Sequence, residues 1–147
     1  MRVGATELLI FRIGRERFAL ELKAVDEVVD APELRVLPDA TAPLLGVVAL
    51  RERLVPLYAP ATLLAAELET RGVALIMRWG QRRIALAADD AEDIVLVELG
   101  TLRNPPPSTY DDEVVVGVLW RDGELCTVLD ARALVSACVN IAPEEVP

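Results

Sequence analysis

The sequence predicts an all-β fold built as two small barrels from a duplicated unit. Three observations carry this. The stretch Gly46-Val47-Val48-Ala49-Leu50-Arg51-Glu52-Arg53-Leu54-Val55-Pro56-Leu57 places charges between two apolar, β-branched runs, the pattern of a hairpin whose tip meets water. The same pattern returns without a gap over residues 117–128, an offset of 117 − 46 = 71, and Leu63-Leu64 is answered by Leu134-Val135. Residues 77–86 lie on residues 11–20 at an offset of 80 − 14 = 66, and Glu92-Asp93-Ile94-Val95 lies on Asp26-Glu27-Val28-Val29 at the same offset. Halves of about five strands are too short for sandwiches and close most simply as barrels, which removes exposed edges.

The elements follow in order. Leu8-Leu9-Ile10-Phe11-Arg12-Ile13 is a β-rich run ended by Gly14. Arg15-Glu16 makes a polar tip, and Arg17-Phe18-Ala19-Leu20-Glu21-Leu22 alternates with the period of a half-buried strand. Residues 24–30 form a third strand. Pro32, Pro38 and Pro43 then impose a loop or an irregular edge. After the Gly46 hairpin, Pro60 permits a short helix from Ala61 to Leu68. Glu69-Thr70-Arg71-Gly72 connects to the second half, whose middle loop is five residues longer (71 − 66) around Arg103-Asn104-Pro105-Pro106-Pro107-Ser108.

A chain of 147 residues is one ordinary domain or two very small ones. It is 53% hydrophobic but only 4% aromatic, so its core must be Val, Leu, Ile and Ala, and the apolar excess points to a buried interface. A net charge of −9 argues against nucleic acid and anionic membrane surfaces as partners. No apolar run reaches the roughly 20 residues of a membrane-spanning helix, and the start lacks the apolar region of a signal peptide. Cys126 and Cys138 do not suggest a disulfide framework, which fits a reducing cytoplasm.

In order and spacing the chain resembles the CheW family of bacterial chemotaxis coupling proteins and the related regulatory domain of the kinase CheA. Val25-Asp26-Glu27-Val28 and the Gly46–Leu57 stretch carry the resemblance in the first half. Residues 80–89, Leu102-Arg103-Asn104-Pro105-Pro106 and residues 117–135 carry it in the second, so it covers about residues 6–138. It implies two five-stranded SH3-like β-barrels with short connecting helices. On this reading residues 1–147 form a single CheW-like domain, with a first barrel over 6–68, a second over 72–138 and a flexible tail over 139–147. The family's first strand can pair across the barrels, which the sequence leaves open.

The resemblance also implies a role. It is that of a non-enzymatic adaptor, with no cofactor and no metal, that bridges the regulatory domain of a CheA-type histidine kinase and the cytoplasmic tip of a chemoreceptor. Such a protein is cytoplasmic, does not insert in the membrane, and is recruited to receptor arrays through its partners. Val25, Gly46 and Arg51 match positions lining the receptor-facing groove, and Glu27 and Arg51 match a recognised ion pair. The alternatives for Val25 and Gly46 are ordinary strand packing, and for Arg51 a solvated hairpin charge. The chain departs from the family at Ala49, where asparagine is usual, at Glu52, where the turn has glycine, and at Ala59, which replaces an acidic residue kept in the second half as Asp130. A degenerate scaffold in a pilus or other non-chemotactic kinase system is the alternative within the same fold.

Other chemistry finds little support. The absence of histidine removes Ser–His and Cys–His pairs and histidine ligands. Asp89-Asp90-Ala91-Glu92-Asp93 offers carboxylates to a hard cation, and a small carboxylate metal-dependent enzyme is the reading from another class. Its spacing suits a calcium loop poorly, and Glu92-Asp93 mirrors Asp26-Glu27, so a solvated turn and strand edge is the better reading. Asp111-Asp112-Glu113 and Glu144-Glu145 read as solvated loop and tail. Ser108 and Ser136 lie in no nucleophile motif, and Cys126, whose repeat mate is Val55, reads as a core thiol. Trp79 and Trp120 end strands, where they serve barrel packing or partner contact.

Overall fold

The computed structural model describes residues 4–40, 43–105 and 113–141. The first half contains β1 (Ala5–Ile13), β2 (Glu16–Glu21), a 3₁₀ turn (Leu22–Ala24), β3 (Val25–Asp30), β4 (Leu34–Val36), β5 (Leu44–Leu50), β6 (Arg53–Tyr58) and the one-turn helix α1 (Ala61–Leu64). The second contains β7 (Val73–Trp79), β8 (Arg82–Ala88), β9 (Asp90–Glu98), a 3₁₀ turn (Leu99–Thr101), β10 (Val115–Arg121), β11 (Glu124–Leu129) and α2 (Ala131–Ile141).

The strands form a six-stranded sheet in the order β3-β7-β8-β6-β5-β4 and a five-stranded sheet in the order β10-β11-β2-β1-β9. Each half therefore gives its opening hairpin to the sheet of the other half. β1 runs antiparallel to β9, and β7 to β3. Parallel pairs join β2 to β11 and β8 to β6. The spans 6–68 and 72–138 thus mark the units of the sequence repeat, whereas each hydrogen-bonded sheet draws on both.

Burial explains the exchange. On β1, Leu8 and Ile10 face a cluster with Ala19, Cys126 and Val128 inside the five-stranded barrel. Leu9, Phe11 and Ile13 face the opposite way, into a larger core with Phe18, Leu75, Met77 and Leu86 between the two sheets. On β7, Ala74 and Ile76 likewise join Val48, Val55 and Leu57 inside the six-stranded barrel. A strand buried on both faces needs a continuous apolar run, which is what residues 8–11 and 73–77 supply.

Ion pairs repeat the same crossing. Asp26 on β3 contacts Arg78 at 2.9 Å and Arg83 at 3.7 Å, both on the hairpin received from the second half. Glu92 on β9 contacts Arg12 at 3.3 Å and Arg17 at 2.7 Å, both on the hairpin received from the first. All three positions are related by the repeat, since 92 − 26, 78 − 12 and 83 − 17 each equal 66.

Two local expectations are corrected. The helix expected over 61–68 stops at Leu64, because Ala65 takes a left-handed φ of 54°. A second helix, α2, runs eleven residues to Ile141, so the expected tail at 139–147 begins inside it. Asp130 starts that helix, its Oδ1 accepting a hydrogen bond from the Ala133 N–H at 3.0 Å. Leu134, Val135 and Cys138 then seat it on the central core. The middle of the proline-rich loop, Asp111, Asp112, Glu144 and Glu145 lie outside the described residues.

Candidate partner-binding site

The site is built from β3 and the β5–β6 hairpin. Leu50 pairs with Arg53, so Arg51 and Glu52 alone form the loop. Arg51 takes a left-handed φ of 56°, as do the first loop residues of the other hairpins, Gly14 (61°), Gly80 (62°) and Asp122 (55°). In the β10–β11 loop the second residue, Gly123, also has positive φ at 81°. Glu52 does not, so this turn differs from its repeat mate at the second position rather than in length. Left-handed backbone costs a non-glycine residue about 1–2 kcal/mol.

That conformation sends the Arg51 side chain toward β3. Its Nη2 lies 3.5 Å from Glu27 Oε1, with the arginine 69% exposed and the glutamate 33%. An ion pair this wet contributes only about 0.2–1 kcal/mol. Fold stability therefore does not account for arginine in this loop; the local strain is at least as large as what the pair returns.

The other two candidates sit differently. Val25 opens β3 opposite Met77 and packs against the central core, with a register irregularity between it and Glu27. Gly46 is buried at a register shift in β5, where an added Cβ would run into the Arg35 carbonyl oxygen of β4. Gly117 meets the Arg103 carbonyl in the same way at 2.9 Å. Gly46 is thus a close-approach glycine, five residues or roughly 17 Å along the strand from Arg51. The structure brings Glu27 and Arg51 together, leaves Val25 beside them on β3, and keeps Gly46 apart. Of the departures, Ala49 pairs with the 58%-exposed Leu54, Glu52 is exposed in the loop, and the Ala59 N–H donates to the Pro43 carbonyl at 2.7 Å.

Beside β3 runs a groove of about 1010 Å³ between the barrels, lined in part by Ala24, Asp26, Arg78, Trp79 and Arg132. Asp26 and Arg78 escaped the sequence reading; the signal was their offset of 66 from Glu92 and Arg12. Trp79 packs partly against the central core, whereas Trp120 stands 63% exposed.

The acidic run 89–93 is engaged internally. Asp89 is only 5% exposed, not solvated as expected from its neighbours. Its carboxylate accepts hydrogen bonds from the N–H groups of Gly14, Glu69 and Thr70 and from the Thr70 hydroxyl. Burial pushes its pKa up, but these hydrogen bonds together outweigh burial and hold it below the ordinary carboxylate value. Glu92 and Asp93 are paired with arginines, Asp93 with Arg121. Among the described residues no group of three or more His, Cys, Asp or Glu side chains could hold a metal ion. Burial also pushes the Cys126 thiol to about 11 and the Cys138 thiol to about 12, so both stay protonated and unreactive at neutral pH.

A family model, the CheW-like domain, matches residues 7–139. The chain is similar to the chemotaxis protein CheW of Rhizobium meliloti (strain 1021), 28% identical over 132 residues that cover 86% of this chain and 85% of that one. It is also similar to the chemotaxis protein CheW of Treponema pallidum (strain Nichols), 24% identical over 141 residues, 89% of this chain and 82% of that one. The fold resembles the crystal structure of the scaffolding protein TtCheW from Thermoanaerobacter tengcongensis, with a TM-score of 0.78, 18% identity, and coverage of 89% and 88% of the two chains.

Proposed function

The chain belongs to the CheW-like family, and from that premise we propose that it couples a CheA-type histidine kinase to the cytoplasmic tip of a chemoreceptor. The coarser role, a non-enzymatic adaptor of chemotaxis signalling, follows from the family and its CheW relatives. The observation that supports the finer reading is that the match spans both barrels, which gives one chain room to meet two partners. The Glu27–Arg51 pair supports the receptor side, because strain retained at an exposed arginine is of the kind found at binding sites.

The mechanism is scaffolding. An adaptor that binds two partners transmits a signal only through a difference in affinity between their states, and the coupling is reciprocal. Arginine suits this position because its planar fork can hold Glu27 and still present donors outward. On this reading, which rests on the family, the protein acts in the cytoplasm and reaches receptor arrays through its partners. Separately, no helix among the described residues is long and apolar enough to cross a membrane. Calorimetric titration against the regulatory domain of each CheA-type kinase of the source organism tests the kinase half. A complex is expected, and its absence at high micromolar concentration with every such kinase overturns the reading.

A further inference from the structure

The two halves of the chain hold each other. Among the described residues, β3 has only β7 as a strand neighbour and β9 has only β1, so each of these edge strands pairs with the other half alone. The parallel pairs β2–β11 and β6–β8 and the Asp26 and Glu92 ion pairs also join the halves. None of these contacts requires both halves to belong to one chain. The covalent link between α1 and β7 is the segment 65–72, and its closed path is strained at both ends. Ala65 has φ 54° and Arg71 φ 58°, a left-handed backbone that a Cβ makes costly. Asp89 holds the path closed by accepting from the N–H groups of Glu69 and Thr70, and Arg12 adds an ion pair to Glu69.

We propose that the chain forms a dimer in which the first half of one copy folds with the second half of another, with residues 65–72 opened as the hinge. The second copy fits because it offers the same strand registers, β1 against β9 and β3 against β7. The contacts between halves are then kept, now made between copies, and the left-handed turns at Ala65 and Arg71 are released. Fully extended, residues 65–72 reach up to about 29 Å, about the width of a small domain. In the closed monomer the tether gives each half a local concentration of order millimolar, so the monomer prevails when dilute and the dimer grows with concentration. Each groove beside β3 is then lined by two chains, since Ala24 and Asp26 come from the first half and Arg78, Trp79 and Arg132 from the second. The dimer carries two complete grooves on one scaffold, whatever binds there.

Two variants of the full chain test this. Glu7 on β1 and Leu96 on β9 stand opposite each other in the register, and both are exposed. Glu7→Cys and Leu96→Cys are unfolded in urea, mixed, refolded at high concentration and then oxidised. A disulfide joining the two variants is expected, because β1 of one copy lies beside β9 of the other. Cys126 and Cys138 are buried and stay out of the reaction. Either variant refolded alone should stay unlinked; linkage there as efficient as in the mixture reflects random encounter and overturns the proposal. Light scattering of the unsubstituted chain refolded in the same way should show a dimer fraction that rises with concentration. Ala65→Gly/Arg71→Gly relieves the closed path at two exposed residues and should lower that fraction at least about threefold. Monomer at every concentration overturns the proposal. A dimer without the mixed disulfide is two closed copies side by side and overturns it equally. A dimer fraction unchanged by the two glycines overturns the hinge.

Discussion

Asp89 grips Thr70 twice, its Oδ1 accepting from the backbone N–H at 2.5 Å and from the hydroxyl at 2.9 Å. The other oxygen accepts from the Gly14 N–H, so one buried carboxylate ties the β1–β2 loop to the connector between the two halves. Asp89→Asn keeps one acceptor but turns an NH₂ group toward the Gly14 donor. It should destabilise the protein by about 1–3 kcal/mol in chemical denaturation at pH 7.

The same residue sets an acid limit. The pKa of Asp89 is lowered in the folded state. Its contribution is therefore fully present above the unfolded value of about 3.9 and is lost as pH falls through the lower folded value. Denaturation at pH 3 to 7 should show a fall in stability below about pH 4 that Asp89→Asn reduces.

At Arg51 the expected effects on folding and coupling separate. Arg51→Ala removes an exposed ion pair and should change stability by no more than about 1 kcal/mol. Receptor-dependent kinase coupling should weaken by more than that change explains. Equal losses in both would assign the residue to the fold.

Glu52 gives a contrasting prediction. Glycine there would let the loop adopt positive φ at both positions, as at Asp122-Gly123. Glu52→Gly should be neutral or stabilising by up to about 1 kcal/mol in thermal unfolding. It should also shift receptor affinity, because the loop presents Arg51.

Asp130 should act through the helix it caps. Asp130→Ala leaves the Ala133 N–H without its acceptor and should cost about 1 kcal/mol, read in urea denaturation. The positions preceding α1, Ala59 and Pro60, offer no side-chain acceptor, and that helix is a single turn.

These effects divide along what local sequence can encode. The strands were legible because residues 8–11 and 73–77 are continuous apolar runs, and the duplication was legible from two fixed offsets. Strand partners were not, since alternation assigns a residue to a face without naming the strand beside it. The clue to the exchange lay in Asp26 with Arg78 and Arg83 against Glu92 with Arg12 and Arg17, pairs that form between the halves. Asp89 looked solvated because its donors are distant in sequence. Arg51 gave no sign of its left-handed backbone, which usually announces itself as glycine. For α2, the Asp130 cap and the spacing of Leu134, Val135 and Cys138 were present but lay inside the span taken for the second barrel.

The central claim is that this chain joins kinase to receptor, and reconstitution tests it most directly. A CheA-type kinase and receptor cytoplasmic fragments are assayed for phosphorylation with increasing amounts of the chain. The account predicts saturable, receptor-dependent activation that Arg51→Ala weakens while the kinase complex persists. Kinase activity independent of the chain at saturating concentration, with every kinase and receptor pair of the source organism, would contradict it.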